Sequence, residues 1–176
     1  SLENFAAEPL TDDLNTAADN ADNLVSYAVQ IDGLKAEGEY AAILDRINRR
    51  FRSLSNLGLS GGSAESRSAI NAKARADQQL LLDILSSEGF YDGKVNFSSK
   101  RDEAKDGDIQ IEFRIRPDQR YRLGSIVFDA PADVTESLIR QNFPMKAGDP
   151  IVADDVVAAE AQISLALPQN GYPFAQ

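Results

Sequence analysis

The chain carries one short pattern twice. A helix-like run ends in Glu88-Gly89-Phe90-Tyr91, and a second ends in Asn170-Gly171-Tyr172-Pro173. Upstream of each lies a short apolar segment closing on aspartate: Val29-Gln30-Ile31-Asp32 in one copy, Ile126-Val127-Phe128-Asp129 in the other. An internal repeat points to a modular array of small units, each one supersecondary element, and away from a single catalytic pocket. The copies can be set in register. Asp32 to Gly89 spans 57 residues and Asp129 to Gly171 spans 42. The 15-residue excess in the first copy is the size of a Gly-Ser loop plus extra helical turns.

Periodicity fills in the first unit. Val25, Tyr27, Val29 and Ile31 alternate and run into Asp32-Gly33, as a strand entering a turn does. Tyr40, Ile43, Leu44, Ile47, Phe51 and Leu54 follow at helical spacing, with Arg46, Arg49, Arg50 and Arg52 on the other face. Gly58 to Ser63 reads as a flexible loop. A second helix is expected from about Ser63 to Ser87, burying Ile70, Ala74, Leu81, Ile84 and Leu85. Gly89 then falls where a left-handed C-terminal cap is expected, because glycine takes positive φ without a Cβ penalty. Lys94-Val95-Asn96-Phe97-Ser98-Ser99 reads as a polar strand, and Asp106-Gly107 as a hairpin turn. In the closing strand Ile109, Ile111, Phe113 and Ile115 point one way, and Gln110, Glu112, Arg114 and Arg116 the other, until Pro117. The unit order is strand, helix, helix, strand, strand.

The second unit repeats the beginning of that order. Tyr121 to Phe128 is expected as its strand, about Val134 to Asn142 as a short helix, and Phe143-Pro144 with Gly148 as turns. A helix over about Ala153 to Leu167 presents Val156, Ala159, Ile163 and Leu167. After Gly171-Tyr172 the last two strands are missing, which predicts a natural chain continuing beyond Gln176. The expected organisation is a flexible acidic leader (1–24), a first domain (25–118) and a truncated second domain (119–176).

Charge and composition remove several function classes. The formal charge is −10, but six acids lie within residues 1–24, so the remainder is only mildly acidic. A phosphate-backbone binder shows a basic face, so nucleic acid is not an expected partner. The chain has no Cys and no His, hence no thiolate chemistry and no imidazole base near neutral pH. Asp154-Asp155 sits in the first turn of an expected helix, where negative charge offsets exposed N–H groups. Asp102, Glu103, Asp106 and Asp108 lack the register of a calcium loop. Gly58-Leu59-Ser60-Gly61-Gly62-Ser63 lacks the Lys-Ser/Thr ending of a phosphate loop. No enzyme activity, metal or cofactor is therefore expected. Phe90, Tyr91, Tyr172 and Phe174 are expected to close small cores, as aromatics at a helix-to-strand junction do.

The order and the motifs resemble the POTRA (polypeptide-transport-associated) domains of bacterial outer-membrane assembly factors of the surface antigen superfamily. Gly89-Phe90-Tyr91 and Gly171-Tyr172-Pro173 match the family's Gly-Tyr/Phe ending of a long second helix. Pro117 to Gly124, with Tyr121 and Leu123, resembles the crossing between units, and Phe143 to Gly148 the segment ahead of the second helix. The acidic leader and the long helix with Arg75 and Asp77 look most like the translocation and assembly module branch. The Gly-Ser loop and Pro168 depart from the pattern.

The resemblance implies an α+β fold of tandem units, each with two helices on a three-stranded mixed sheet. It also implies a periplasmic location ahead of a C-terminal outer-membrane β-barrel in the same full-length chain. Expected partners are unfolded outer-membrane or secreted clients, and an inner-membrane-anchored protein. The region of a two-partner secretion transporter, or a rigid spacer that binds nothing, are the alternatives. An unfolded client offers unpaired backbone groups that an exposed sheet edge can accept with little regard to sequence. Strand 94–99 is the expected edge, because lysine and other polar residues guard edges against aggregation. Arg46, Arg49, Arg50 and Arg52 form either a solvated face or a surface for anionic lipid or an acidic partner.

Overall fold

The computed structural model describes residues 24–33, 39–101, 108–129 and 134–172. In the first unit the strands are β1 (Val25–Asp32), β2 (Ser63–Ala64), β3 (Lys94–Arg101) and β4 (Ile109–Arg116). The helices are α1 (Glu39–Leu54), α2 (Asn56–Leu59) and α3 (Arg67–Ser87). The sheet order is β2-β1-β4-β3, with β1 parallel to β4 and the other two pairings antiparallel. A parallel pair needs a long crossover; here α1 and α3 lie within it, on one face of the sheet. The fold is α+β, in the β-α-α-β-β order that the POTRA resemblance implies.

The strict alternation of β4 explains its central place. Ile109, Ile111, Phe113 and Ile115 are all buried against the helices, joined by Ile43, Ile47 and Phe51 of α1 and Ile70, Ala74, Leu81, Ile84 and Leu85 of α3. Phe113 stacks edge-on with Phe51 at 5.8 Å and tilts against Phe97 at 5.9 Å. Leu54, on the expected stripe of α1, is instead exposed, because α1 ends there and the chain turns away.

Two expectations for this unit need correction. The sheet has four strands rather than three, because Ser63 and Ala64 pair with Ser26 and Val25. The Gly58–Ser63 stretch is not a free loop: α2 occupies its start and β2 its end, and α3 begins only at Arg67, capped by Ser66 Oγ accepting from Ala69 N–H at 3.1 Å. The physical reason is Asp77. Its carboxylate is fully buried on α3 and accepts from Ser55 Oγ (2.6 Å), Asn56 N–H (2.7 Å) and Leu57 N–H (2.9 Å). A buried carboxylate thus satisfies the otherwise orphaned donors at the start of α2 and pins the segment to α3.

The second unit contains α4 (Glu136–Asn142) and α5 (Ala153–Gln169). The expected strand over 121–128 is reduced to one bridge, Arg122 with Pro150, because a strand needs a neighbour along its length, and among the described residues its backbone partners are Gly89 and the short 148–151 stretch. Leu123 N–H donates to Asp149 O, Gly148 N–H to Leu123 O and Ile151 N–H to Tyr121 O. Val134, Ile139, Met145 and Ala159 are buried, and Phe128 meets Phe143 edge-on at 5.4 Å. Of the expected α5 stripe only Ala159 is buried; Val156 is exposed. No helix among the described residues is long and apolar enough to cross a membrane.

Candidate functional site

The repeated Gly-aromatic pattern is one hydrogen-bonding motif in both copies. At the end of α3, Phe90 N–H donates to Leu85 O (2.9 Å) and Gly89 N–H to Ser86 O (3.0 Å). At the end of α5, Tyr172 N–H donates to Leu167 O (3.0 Å) and Gly171 N–H to Pro168 O (3.2 Å). Gly89 has φ +91° and Gly171 φ +94°, the left-handed cap that the sequence predicts. Pro168 is tolerated this late in α5, and its carbonyl still serves the cap. Phe90 is buried, as an aromatic closing the core should be. Tyr91 is half exposed and stacks edge-on with Tyr121 at 5.5 Å, which departs from the expectation that it closes the core. Phe174 lies outside the described residues.

The first cap is also a joint to the second unit. Tyr121 N–H donates to Gly89 O at 2.8 Å, and Tyr121 OH to Asp92 Oδ2 at 2.8 Å. That bond to Asp92 holds the Tyr121 phenol above its ordinary pKa. Glu88, the C-cap residue, is buried and takes a two-pronged bond from Arg46, Nε to Oε1 at 2.8 Å and Nη2 to Oε2 at 2.6 Å. Such paired, charge-assisted bonds are the strong class, and the bond to Glu88 raises the Arg46 guanidinium further above its ordinary value. Arg120 enters from the interunit stretch, with Nε donating to Glu88 O at 2.8 Å and its guanidinium 5.8 Å from the Phe90 ring centre. Arg50 reaches both Ser87 Oγ (3.2 Å) and Asp154 Oδ2 (3.5 Å).

The four arginines of α1 are therefore not one basic surface. Arg46 and Arg50 serve the joint, Arg49 pairs with Asp45 on its own helix at 3.0 Å, and Arg52 stands apart beside the outer edge of β1. The roles of two residues in this architecture escaped sequence reasoning, though each left a signal. Asp77 falls on the apolar stripe Ile70, Ala74, Leu81, Ile84, where a carboxylate must find a partner. Glu88 sits at a helix C-terminus, where negative charge is locally unfavourable and implies a tertiary cation.

Strand β3 is an edge strand: it pairs along its whole length with β4, and no described strand lies on its other side. Val95 is buried and Phe97 half-buried toward the helices, while Lys94, Asn96 and Lys100 are exposed. Lys94 stands opposite Arg116, and Asn96 opposite Arg114, which holds Glu112 at 3.1 Å. On the helix side Gln78 Nε2 donates to Val95 O at 2.6 Å, so one backbone acceptor of this strand is already engaged by a side chain. Ser99 Oγ and Asn71 Oδ1 are buried and have no hydrogen-bond partner in the described structure. A polar strand with an open side can accept another extended backbone. Asp102, Glu103 and Asp106 lie outside the described residues.

An α+β unit with one helix-covered sheet face and an open edge defines the class of molecule. No protein-family model matches the chain, and no curated protein matches it in sequence. Among solved structures it is similar to the crystal structure of BamA POTRA3-5 from Haemophilus influenzae, at 16% identity and a TM-score of 0.41. That match covers 84% of this chain and 50% of the other. It is also similar to BamA from Haemophilus ducreyi lacking POTRA domains 1-3, at 17% identity and a TM-score of 0.41, covering 76% of this chain and 23% of that one. The chain thus spans half the length of the first of these structures.

Proposed function

We propose that the chain is a non-enzymatic, periplasmic polypeptide-docking region of an outer-membrane β-barrel assembly or translocation factor, built from POTRA units. Within that class the acidic leader and long α3 favour a TamA-like placement. Clients are unfolded outer-membrane or secreted chains, handed toward a C-terminal barrel of the same full-length protein, with an inner-membrane-anchored protein as a further partner. The observation that carries the reading is the open side of β3, residues Lys94 to Ser99. Backbone pairing there gives broad selectivity at modest affinity, which suits hand-over. The repeated helix-cap motif and the unit order support the family placement.

The test is backbone NMR of the labelled chain titrated with a strand-forming client peptide. Amide shifts concentrated on Lys94 to Ser99 are the expected result; shifts confined to the exposed faces of α1 and α3 would sink the proposal. The joint at Glu88 specifically favours a second reading, a rigid spacer that sets the direction of the units and binds nothing. A client pull-down with the full-length protein separates them: capture supports docking, and its absence supports the spacer.

A further inference from the structure

Among the described residues the opposite edge of the sheet is open too, and it borders a groove. The partner of β1 on its outer side, β2, pairs only with Val25 and Ser26, and Tyr27 N–H then donates to Gly62 O at 2.8 Å. Successive residues of a strand turn their N–H and C=O groups to alternate sides. Since Tyr27 turns its N–H outward to Gly62, Val29 and Ile31 turn theirs outward as well, past the end of β2. Those outward groups have no partner among the described residues. Between this bare edge and α1 lies a groove of about 500 Å³, lined by Val29, Ile31, Asn48, Phe51 and Arg52 among others. Val29 is 36% exposed although it lies on the face of β1 that Tyr27 buries. Arg52 is exposed and has no ion pair among the described residues, unlike the other three arginines of its helix.

We infer that this groove is a second polypeptide site, distinct from the β3 edge, which takes an extended segment carrying an acidic residue. The segment adds to β1 through the N–H and C=O groups of Val29 and Ile31. An apolar side chain of the segment covers Val29, and a carboxylate meets Arg52. Three features favour this occupant over a small molecule. The groove borders the outward backbone row of β1, the one charged residue of its lining is the cation Arg52, and Val29 and Ile31 line it from alternate strand positions. With both edges available, one unit can hold two extended chains at once, one on each side of the same sheet.

The site is independent of the β3 proposal, and the experiment keeps the two apart. The probe is a seven-residue strand-forming peptide with a central Glu, beside its Gln counterpart, measured by fluorescence anisotropy and by amide hydrogen exchange of the whole chain. Saturating Glu peptide is expected to slow exchange at Val29 and Ile31 by about tenfold or more. Arg52→Gln should weaken the Glu peptide about two- to fivefold, the range of an exposed ion pair, and leave the Gln peptide unchanged. Val29→Pro removes an outward N–H together with the apolar valine side chain, a substitution that edge strands tolerate, and should weaken both peptides. Protection confined to β3 amides overturns this inference and leaves the β3 proposal standing. Protection at Val29 and Ile31 alone upholds the inference and counts against β3. Equal affinity of both peptides for the native chain refutes the role of Arg52.

Discussion

Gly89→Ala, compared with Gly171→Ala, isolates the joint from the cap. Both glycines occupy the same left-handed cap, with φ of +91° and +94°. Forcing alanine into that conformation costs about 1–2 kcal/mol at either site. The gain from restricting the unfolded chain, about 0.4–1 kcal/mol, also applies equally. The surroundings differ. A Cβ on Gly171 meets nothing within 4 Å among the described residues, whereas one on Gly89 lies 2.7 Å from Ile151 O and 3.4 Å from both Arg120 Cγ and Tyr121 O. The nearest neighbour, Ile151 O, is backbone and too close, so the chain there must move away, weakening the bonds from Tyr121 N–H to Gly89 O and from Ile151 N–H to Tyr121 O. At about 0.5–1.5 kcal/mol each, Gly89→Ala should cost about 1–3 kcal/mol more than Gly171→Ala. Urea unfolding followed by tyrosine fluorescence gives both losses by linear extrapolation. Amide exchange gives the location: Tyr121 N–H should lose protection in the Gly89 variant and keep it in the Gly171 variant. Equal destabilisation, or an unaltered Tyr121 amide, would refute the docking of the first cap on the second unit.

Three further outcomes follow from the polar contacts. Glu88→Gln should destabilise by about 1–3 kcal/mol, less than a fully buried pair because Arg46 is half in solvent. A double-mutant cycle with Arg46→Gln should be clearly sub-additive; additive losses would show that the pair is not coupled. Asp77→Ala strands the Ser55 hydroxyl and two backbone donors, a loss of about 3 kcal/mol or more. Amide exchange at Asn56 and Leu57 should quicken with it, and a loss under about 1 kcal/mol would contradict the clamp on α2. The Tyr121 phenol, held above its ordinary value chiefly by its bond to Asp92, contributes stability that is complete below the unfolded phenol's value and lost as pH rises through the raised one. Asp92→Asn should bring the phenolate absorbance transition down in pH, and an unmoved transition would argue against the bond.

The elements that local pattern controls were legible in the sequence. Strand β4 announces its burial by strict alternation, and α3 its inner face by the spacing of Ile70, Ala74, Leu81 and Ile84. The two caps are visible because only glycine fits a left-handed turn at that point of the chain. The edge position of β3 was readable too, since a polar strand beside a strongly apolar one belongs on the outside. The strand expected at 121–128 failed for the complementary reason: alternation supplies a face but no partner.

Element order and the two helix caps are thus properties of the chain itself, because backbone preference and side-chain periodicity act over a few residues. What tertiary structure alone decided is where distant residues meet. Asp77 turned a glycine-rich stretch into α2 by capping it from another helix. Glu88 drew Arg46 and Arg120 from positions far apart in sequence into one joint, and Asp154 took up Arg50. The groove beside β1 exists only because β2 stops after two residues while β1 runs on. Each of these depends on the packing of separate elements, and no local pattern carries that information.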